Sequence, residues 1–124
     1  MTAKTPLCKI LTVDDQMGID SFFYEFFSVR DYEVFNAQSG MEAIEIVKKH
    51  KPRIVLLDIK MKGMDGVAAL KHIKEIDKNT KVIMVTAMDD QDKMNEAYKL
   101  GACDYITKPL VLDYLEQAVL KNLK

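Results

Sequence analysis

The chain has 124 residues, 48% hydrophobic and 30% charged, with 18 Lys and Arg against 19 Asp and Glu and a net charge of −1. That length fits one domain, able to bury about two thirds of its unfolded surface without disulfides or a structural metal, and the interspersed charges exclude the basic stripe of a nucleic-acid binder. The start Met1-Thr2-Ala3-Lys4-Thr5-Pro6 holds no apolar signal core, and no stretch approaches the ~18 to 20 apolar residues of a membrane span, so the expected location is cytoplasmic, with no membrane or direct nucleic-acid contact.

Short β-branched apolar runs alternate with longer segments of helical period, the pattern of βαβ units and a parallel sheet covered on both faces. A strand near 7–13 closes with Ile10-Leu11-Thr12-Val13 and is followed by Asp14-Asp15. The helix near 16–29 places Ile19, Phe22, Phe23, Phe26 and Phe27 at three- and four-residue steps, with Asp20, Tyr24 and Glu25 outside the stripe. Such a stripe packs into a core, since stacking on bases needs interleaved basic residues. After a strand near 32–36, the capping box Ser39-x-x-Glu42 opens a helix over 39–50. The strand near 53–58 is the most apolar of all, Ile54-Val55-Leu56-Leu57, yet it ends in Asp58. A helix near 65–76 leads to a strand over 81–86, Val82-Ile83-Met84-Val85 closed by Thr86. Asp89, Asp90 and Asp92 begin a helix over 89–100, where its dipole favours anions. The strand near 103–107 ends Tyr105-Ile106-Thr107 before Lys108-Pro109, and a last helix over 110–122 carries a Leu112, Leu115, Val119 stripe.

Cys8 and Cys103 lack CxxC spacing and clustered histidines, so they are expected to be reduced and packed as small hydrophobes. His50 and His72 stand among lysines and have no carboxylate or second ligand at motif spacing, which points to solvated surface positions.

In sheets of this construction ligands bind beyond the carboxyl ends of the strands. Asp14, Asp15 and Asp58, the Thr86 hydroxyl and the Lys108 ammonium would therefore share one pocket. Converging carboxylates repel unless a cation sits among them, and a lysine beside them partners a transferred phosphoryl group, which points to a metal-assisted phospho-aspartate site. Each residue also has a plainer role on its own. Asp58 could cap a loop before Gly63, Asp14 and Asp15 could cap the next helix, Lys108 could be solvated, and Thr86 could be an ordinary strand residue.

Together, Asp14-Asp15, Asp58, Met61, Met64-Asp65-Gly66, Thr86-Ala87 and Tyr105-Ile106-Thr107-Lys108-Pro109, with Ser39-Gly40 and Leu100-Gly101-Ala102, make the chain resemble the receiver domain of response regulators in two-component signalling. The resemblance covers almost all of residues 1–124 as one receiver domain. It implies an α/β, flavodoxin-like fold: a doubly wound five-stranded parallel sheet in order 2-1-3-4-5 with five helices. It implies that Asp58 is the phosphorylated nucleophile. Mg2+ is then bound by Asp15, Asp58 and the Lys60 carbonyl, and by Asp14 through water. Lys108 pairs with the acceptor and then with the phosphoryl group, the Thr86 hydroxyl bonds that group, and Tyr105 is the aromatic switch. The family also implies a donor, a phosphohistidine on a sensor histidine kinase or histidine phosphotransfer protein, and an output through a downstream protein target or attached effector domain. Phosphorylation is then expected to alter the surface of the fourth helix, fifth strand and fifth helix.

The chain departs from the family pattern at Lys62, where many members have proline, and at Asp31, where glycine is frequent and a positive φ is expected. An aspartyl-phosphate hydrolase would usually carry a second acid two residues after its nucleophile, and Lys60 occupies that position. The chain is therefore expected to be a phosphoacceptor rather than a turnover enzyme. A flavin site is disfavoured because Asp14-Asp15 would repel a cradled phosphate. No arginine follows Arg53, so the arginine salt bridges of dimerising receivers are missing and a monomer is expected.

Overall fold

The computed structural model describes residues 8–14, 24–59, 64–86, 91–107 and 112–123. Strands and helices alternate as β1 Lys9–Val13, α1 (helical over 24–28), β2 Glu33–Ala37, α2 Gly40–His50, β3 Ile54–Asp58, α3 Gly66–Ile76, β4 Lys81–Thr86, α4 Gln91–Lys99, β5 Asp104–Thr107 and α5 Leu112–Leu123. All five strands are parallel, in the order β2-β1-β3-β4-β5 that the resemblance implied. The second strand lies one residue later than expected, and Ile19, Phe22 and Phe23 of the first apolar stripe fall outside the described residues.

Alternation along each strand divides the core in two. Leu11, Val13, Val55, Leu57, Val82 and Met84 face one way, against α2, α3 and α4 through Val47, Leu70, Ile73, Met94 and Ala97. Ile10, Ile54, Leu56, Ile83, Val85 and Ile106 face the other way, against Phe26 and Phe27 of α1 and Leu115 and Val119 of α5. Burial on both faces explains why these strands read as unbroken apolar runs. Phe27 is fully buried between edge-on partners, Phe26 at 5.0 Å and Tyr32 at 5.5 Å. A ring removed there would cost about 3–5 kcal/mol.

The helix ends follow local chemistry. Ser39 Oγ accepts from the Glu42 N–H at 3.1 Å, the N-cap expected of the capping box. Asp31 adopts φ 68°, as its place in a usual glycine position suggested, and Lys51 reaches φ 49° as the C-cap of α2. His50 departs from its expectation: it is half-buried and stacked on Phe35 at 4.4 Å, because the end of α2 lies over β2. His72 is exposed. Both cysteines are half-buried beside the α1/α5 core, and burial pushes the Cys8 thiol up to about 11 and the Cys103 thiol upward, which keeps them protonated. No helix among the described residues is long and apolar enough to cross a membrane.

Candidate functional site

The carboxyl ends of the strands form one edge of the sheet, and the register fixes which residues stand together there. β1 pairs with β3 from Ile10 with Ile54 to Val13 with Leu57. One further step sets Asp14 beside Asp58, on neighbouring strands about 4.8 Å apart. The Asp14 N–H is held by the Ala37 carbonyl of β2 at 3.0 Å, so the first acid leaves β1 with its backbone fixed. Asp14 and Asp58 are nearly fully buried, at 1% and 5% exposure. On the other side of β3, Asp58 pairs with Val85, and the next residue, Thr86, pairs with Thr107 of β5. Asp14, Asp58, Thr86 and the end of β5 thus form a row along one edge. Asp15, Lys60 and Lys108 lie outside the described residues.

The backbone around Asp58 is clamped from two directions. Ile59 N–H donates to the Val85 carbonyl at 3.0 Å, which extends the ladder one residue past the acid. Gly66 N–H donates to the Ile59 carbonyl at 2.7 Å and presses on the same turn. A Cβ added at Gly66 would lie 2.2 Å from the Asp58 carbonyl oxygen, so this close approach requires glycine. Asp65 caps α3 by accepting from the Ala68 N–H at 2.9 Å and pairs with Lys93 of α4 at 3.3 Å. The Ala68 N–H, and secondarily Lys93, hold its carboxyl below the usual range against an opposing effect of burial. Asp65 therefore ties the helix after β3 to the helix after β4. Sequence reasoning missed this role, although an acid and a glycine before Val67-Ala68-Ala69-Leu70 are a recognisable helix start.

Tyr105 is 39% exposed and meets the ring of Tyr98 on α4 edge-on at 5.9 Å. Behind it, Thr107, Tyr114, Ala118 and Lys121 border an open cleft of about 500 Å³ between β5 and α5. Lys121 reaches Asp104 across it at 3.9 Å.

Among the described residues no three Asp, Glu, His or Cys side chains gather as a metal cluster. Asp14 and Asp58 nevertheless form an oxygen-only donor pair at a buried strand end, a set that suits a hard divalent cation and not a thiophilic one.

The sequence model of the response regulator receiver domain matches residues 10–120. This chain belongs to the response-regulator receiver family. Among curated receivers it is 44% identical over 115 residues to sporulation initiation phosphotransferase F of Bacillus subtilis, covering 93% of both chains. It is 38% identical over 116 residues to the chemotaxis protein CheY of the same organism, covering 93% of this chain and 97% of that one. A solved CheY-like receiver from Methanospirillum hungatei superposes with a TM-score of 0.90 at 27% identity, over 93% of this chain and 92% of the other. As a receiver the chain is a phosphoacceptor signalling domain of two-component systems, a class distinct from turnover enzymes.

Proposed function

We propose that this receiver is a phosphorylation-dependent switch whose acceptor is Asp58. The supporting observation is the buried pair of Asp58 and Asp14 on adjacent strand ends, in a chain whose family transfers phosphoryl groups. A carboxylate oxygen of Asp58 attacks phosphorus in line, the N–P bond of a donor phosphohistidine breaks, and the imidazole nitrogen keeps the electron pair. The donor is a sensor histidine kinase or a histidine phosphotransfer protein. Such chemistry asks a protein chiefly for positioning and charge neutralisation. The clamp of Val85, Ile59 and Gly66 supplies the positioning.

Asp14, Asp15, Asp58 and the Lys60 carbonyl would hold Mg2+, which neutralises charge on the phosphoryl oxygens when bound. Lys108 pairs with Asp58 before reaction and with a phosphoryl oxygen afterwards. The phosphoryl group adds about −1.5 to −2 charge, and Thr86 donates its hydroxyl to it. Tyr105, edge-on to Tyr98 on the surface, then turns inward, and the α4, β5 and α5 surface changes for a downstream protein target or an attached effector. The chain assists gain and loss of its own phosphoryl group without turning over a substrate.

The test is transfer from a phosphorylated histidine-kinase domain. Label is expected to move to this chain with Mg2+ and to stay on the donor with excess EDTA. Transfer at equal rates in both conditions would overturn the metal assignment, and transfer undiminished in Asp58→Asn would overturn the acceptor assignment.

A further inference from the structure

The opposite end of the sheet, about 15 Å from Asp58 along five-residue β3, carries a second concentration of charge, of the other sign. Arg53 precedes β3, Lys81 opens β4, Lys51 ends α2, and Lys78 sits in the turn between α3 and β4. These four cations and one carboxylate, Asp77, line a cleft of about 540 Å³, within the usual range for small-ligand sites.

The floor of the cleft is rigid. Arg53 and Lys81 hold their places through backbone bonds, Arg53 N–H to Lys9 carbonyl at 3.0 Å and Lys81 N–H to Arg53 carbonyl at 2.9 Å. The turn is fixed by Asp77, whose carboxylate accepts from the Asn79 N–H at 2.9 Å. Lys74 fastens it from below, donating to the carbonyls of Lys78 at 2.9 Å and Thr80 at 2.8 Å. The Thr80 side chain is a separate signal. Thr80 lines the cleft and is 1% exposed, and its hydroxyl finds no hydrogen-bond partner among the described residues. Buried hydroxyls are almost always paired, and this one, left over just beneath a cationic cleft, is a donor that a ligand reaches after a small shift of the atoms covering it.

We propose that this cleft is an anion site for a compact oligophosphate, with Arg53, Lys51, Lys78 and Lys81 balancing its charge and the Thr80 hydroxyl donating to one of its oxygens. Convergence on one concavity suits a short, dense anion, and arginine and lysine together supply fork-shaped and point-charge contacts to phosphate. The crowding of cations also shows at Lys74, whose ammonium is lowered below the usual lysine range by burial and then by the charge of Lys81. An anion in the cleft would relieve that repulsion. The site is independent of Asp58 and does not rest on its phosphorylation.

The test is titration of the isotopically labelled full chain with inorganic triphosphate in EDTA, followed by amide NMR. Saturable shifts are expected at Asn79, Thr80 and Lys81. The double variant Arg53→Gln/Lys81→Gln, both exposed positions, is expected to weaken binding about tenfold or more. Lys99→Gln, on exposed α4, is expected to leave binding unchanged. Thr80→Val is expected to weaken binding while raising the thermal midpoint, because it removes an unpaired buried hydroxyl. Shifts that fail to saturate and spread over all surface lysines, or a double variant that binds like wild type, would overturn the proposal. A parallel titration with a nucleoside triphosphate identifies the source of the phosphate. Equal affinity favours the free oligophosphate, and about fivefold tighter binding favours the nucleotide.

Discussion

Gly66 stands against the carbonyl of Asp58 so closely that a single methyl group would overlap it, at 2.2 Å. The first residue of α3 and the last residue of β3 therefore share one packed turn, joined by the Gly66 to Ile59 hydrogen bond of 2.7 Å. Any movement of one displaces the other. This contact places the proposed acceptor, and it explains how a carboxylate can stay fixed where the chain leaves the sheet.

Gly66→Ala should destabilise the fold by about 2 kcal/mol despite the better helix propensity of alanine, since overpacking a closed backbone contact costs about 1–3 kcal/mol. It should also slow phosphate uptake from a small donor. Urea unfolding and a timed phosphorylation assay check both. A variant as stable and as fast as wild type would mean that the turn relaxes freely.

Asp65 predicts a specific pH dependence. Its folded pKa is lowered, chiefly by the Ala68 N–H and then by Lys93, while an unfolded aspartate titrates at about 3.9. A depressed folded pKa gives stability that is present above the unfolded value and lost as pH falls through the folded one. Asp65→Asn keeps a capping side chain but removes the charge. It should therefore be less stable than wild type near neutral pH, with a deficit that shrinks as pH falls below the unfolded value of about 3.9. Asp65→Ala should cost about 1 kcal/mol through the lost cap. The Lys93 pair contributes little of this, because both side chains are more than a third exposed, at 39% and 46%. Denaturant unfolding across this range decides it; a deficit in Asp65→Asn that persists unchanged at low pH would refute the charge argument.

Much of this architecture is legible in the residue order. Three apolar runs buried on both faces, β1, β3 and β4, read as interior strands, and a lone acid at the end of the most apolar one, Asp58, marks a polar edge. Ser39 and Asp31 also declare themselves, since capping and positive φ depend on near neighbours. What the sequence hides are contacts set by packing between distant segments. The Gly66 approach to Asp58 needs the turn closed before the glycine is seen as obligatory, and the Asp65–Lys93 pair spans 28 residues. His50 reads as a surface residue beside Lys48 and Lys49 until β2 brings Phe35 beneath it. The four cations of the opposite cleft come from two separate connections between elements, which no local motif joins.

The isolated chain should remain a monomer when activated. Its α5 presents Asp113, Tyr114 and Gln117 outward, and the lysines available near β5, such as Lys121 at 77% exposure beside Asp104, lack the bidentate fork that makes arginine pairs resistant to water and salt. Light scattering at micromolar concentration, with and without a phosphoryl mimic and Mg2+, should give one monomer mass in both states. A clean shift to a dimer on activation would contradict this and indicate a self-associating α4, β5 and α5 surface.

The most direct measurement locates the phosphoryl group itself. The chain is treated with acetyl phosphate and Mg2+, reduced with borohydride so that an aspartyl phosphate becomes homoserine, and mapped by peptide mass. The account predicts homoserine at position 58 alone, and none anywhere in Asp58→Asn. Homoserine at Asp14 or Asp15 in the wild-type chain, or undiminished labelling of Asp58→Asn, would contradict it.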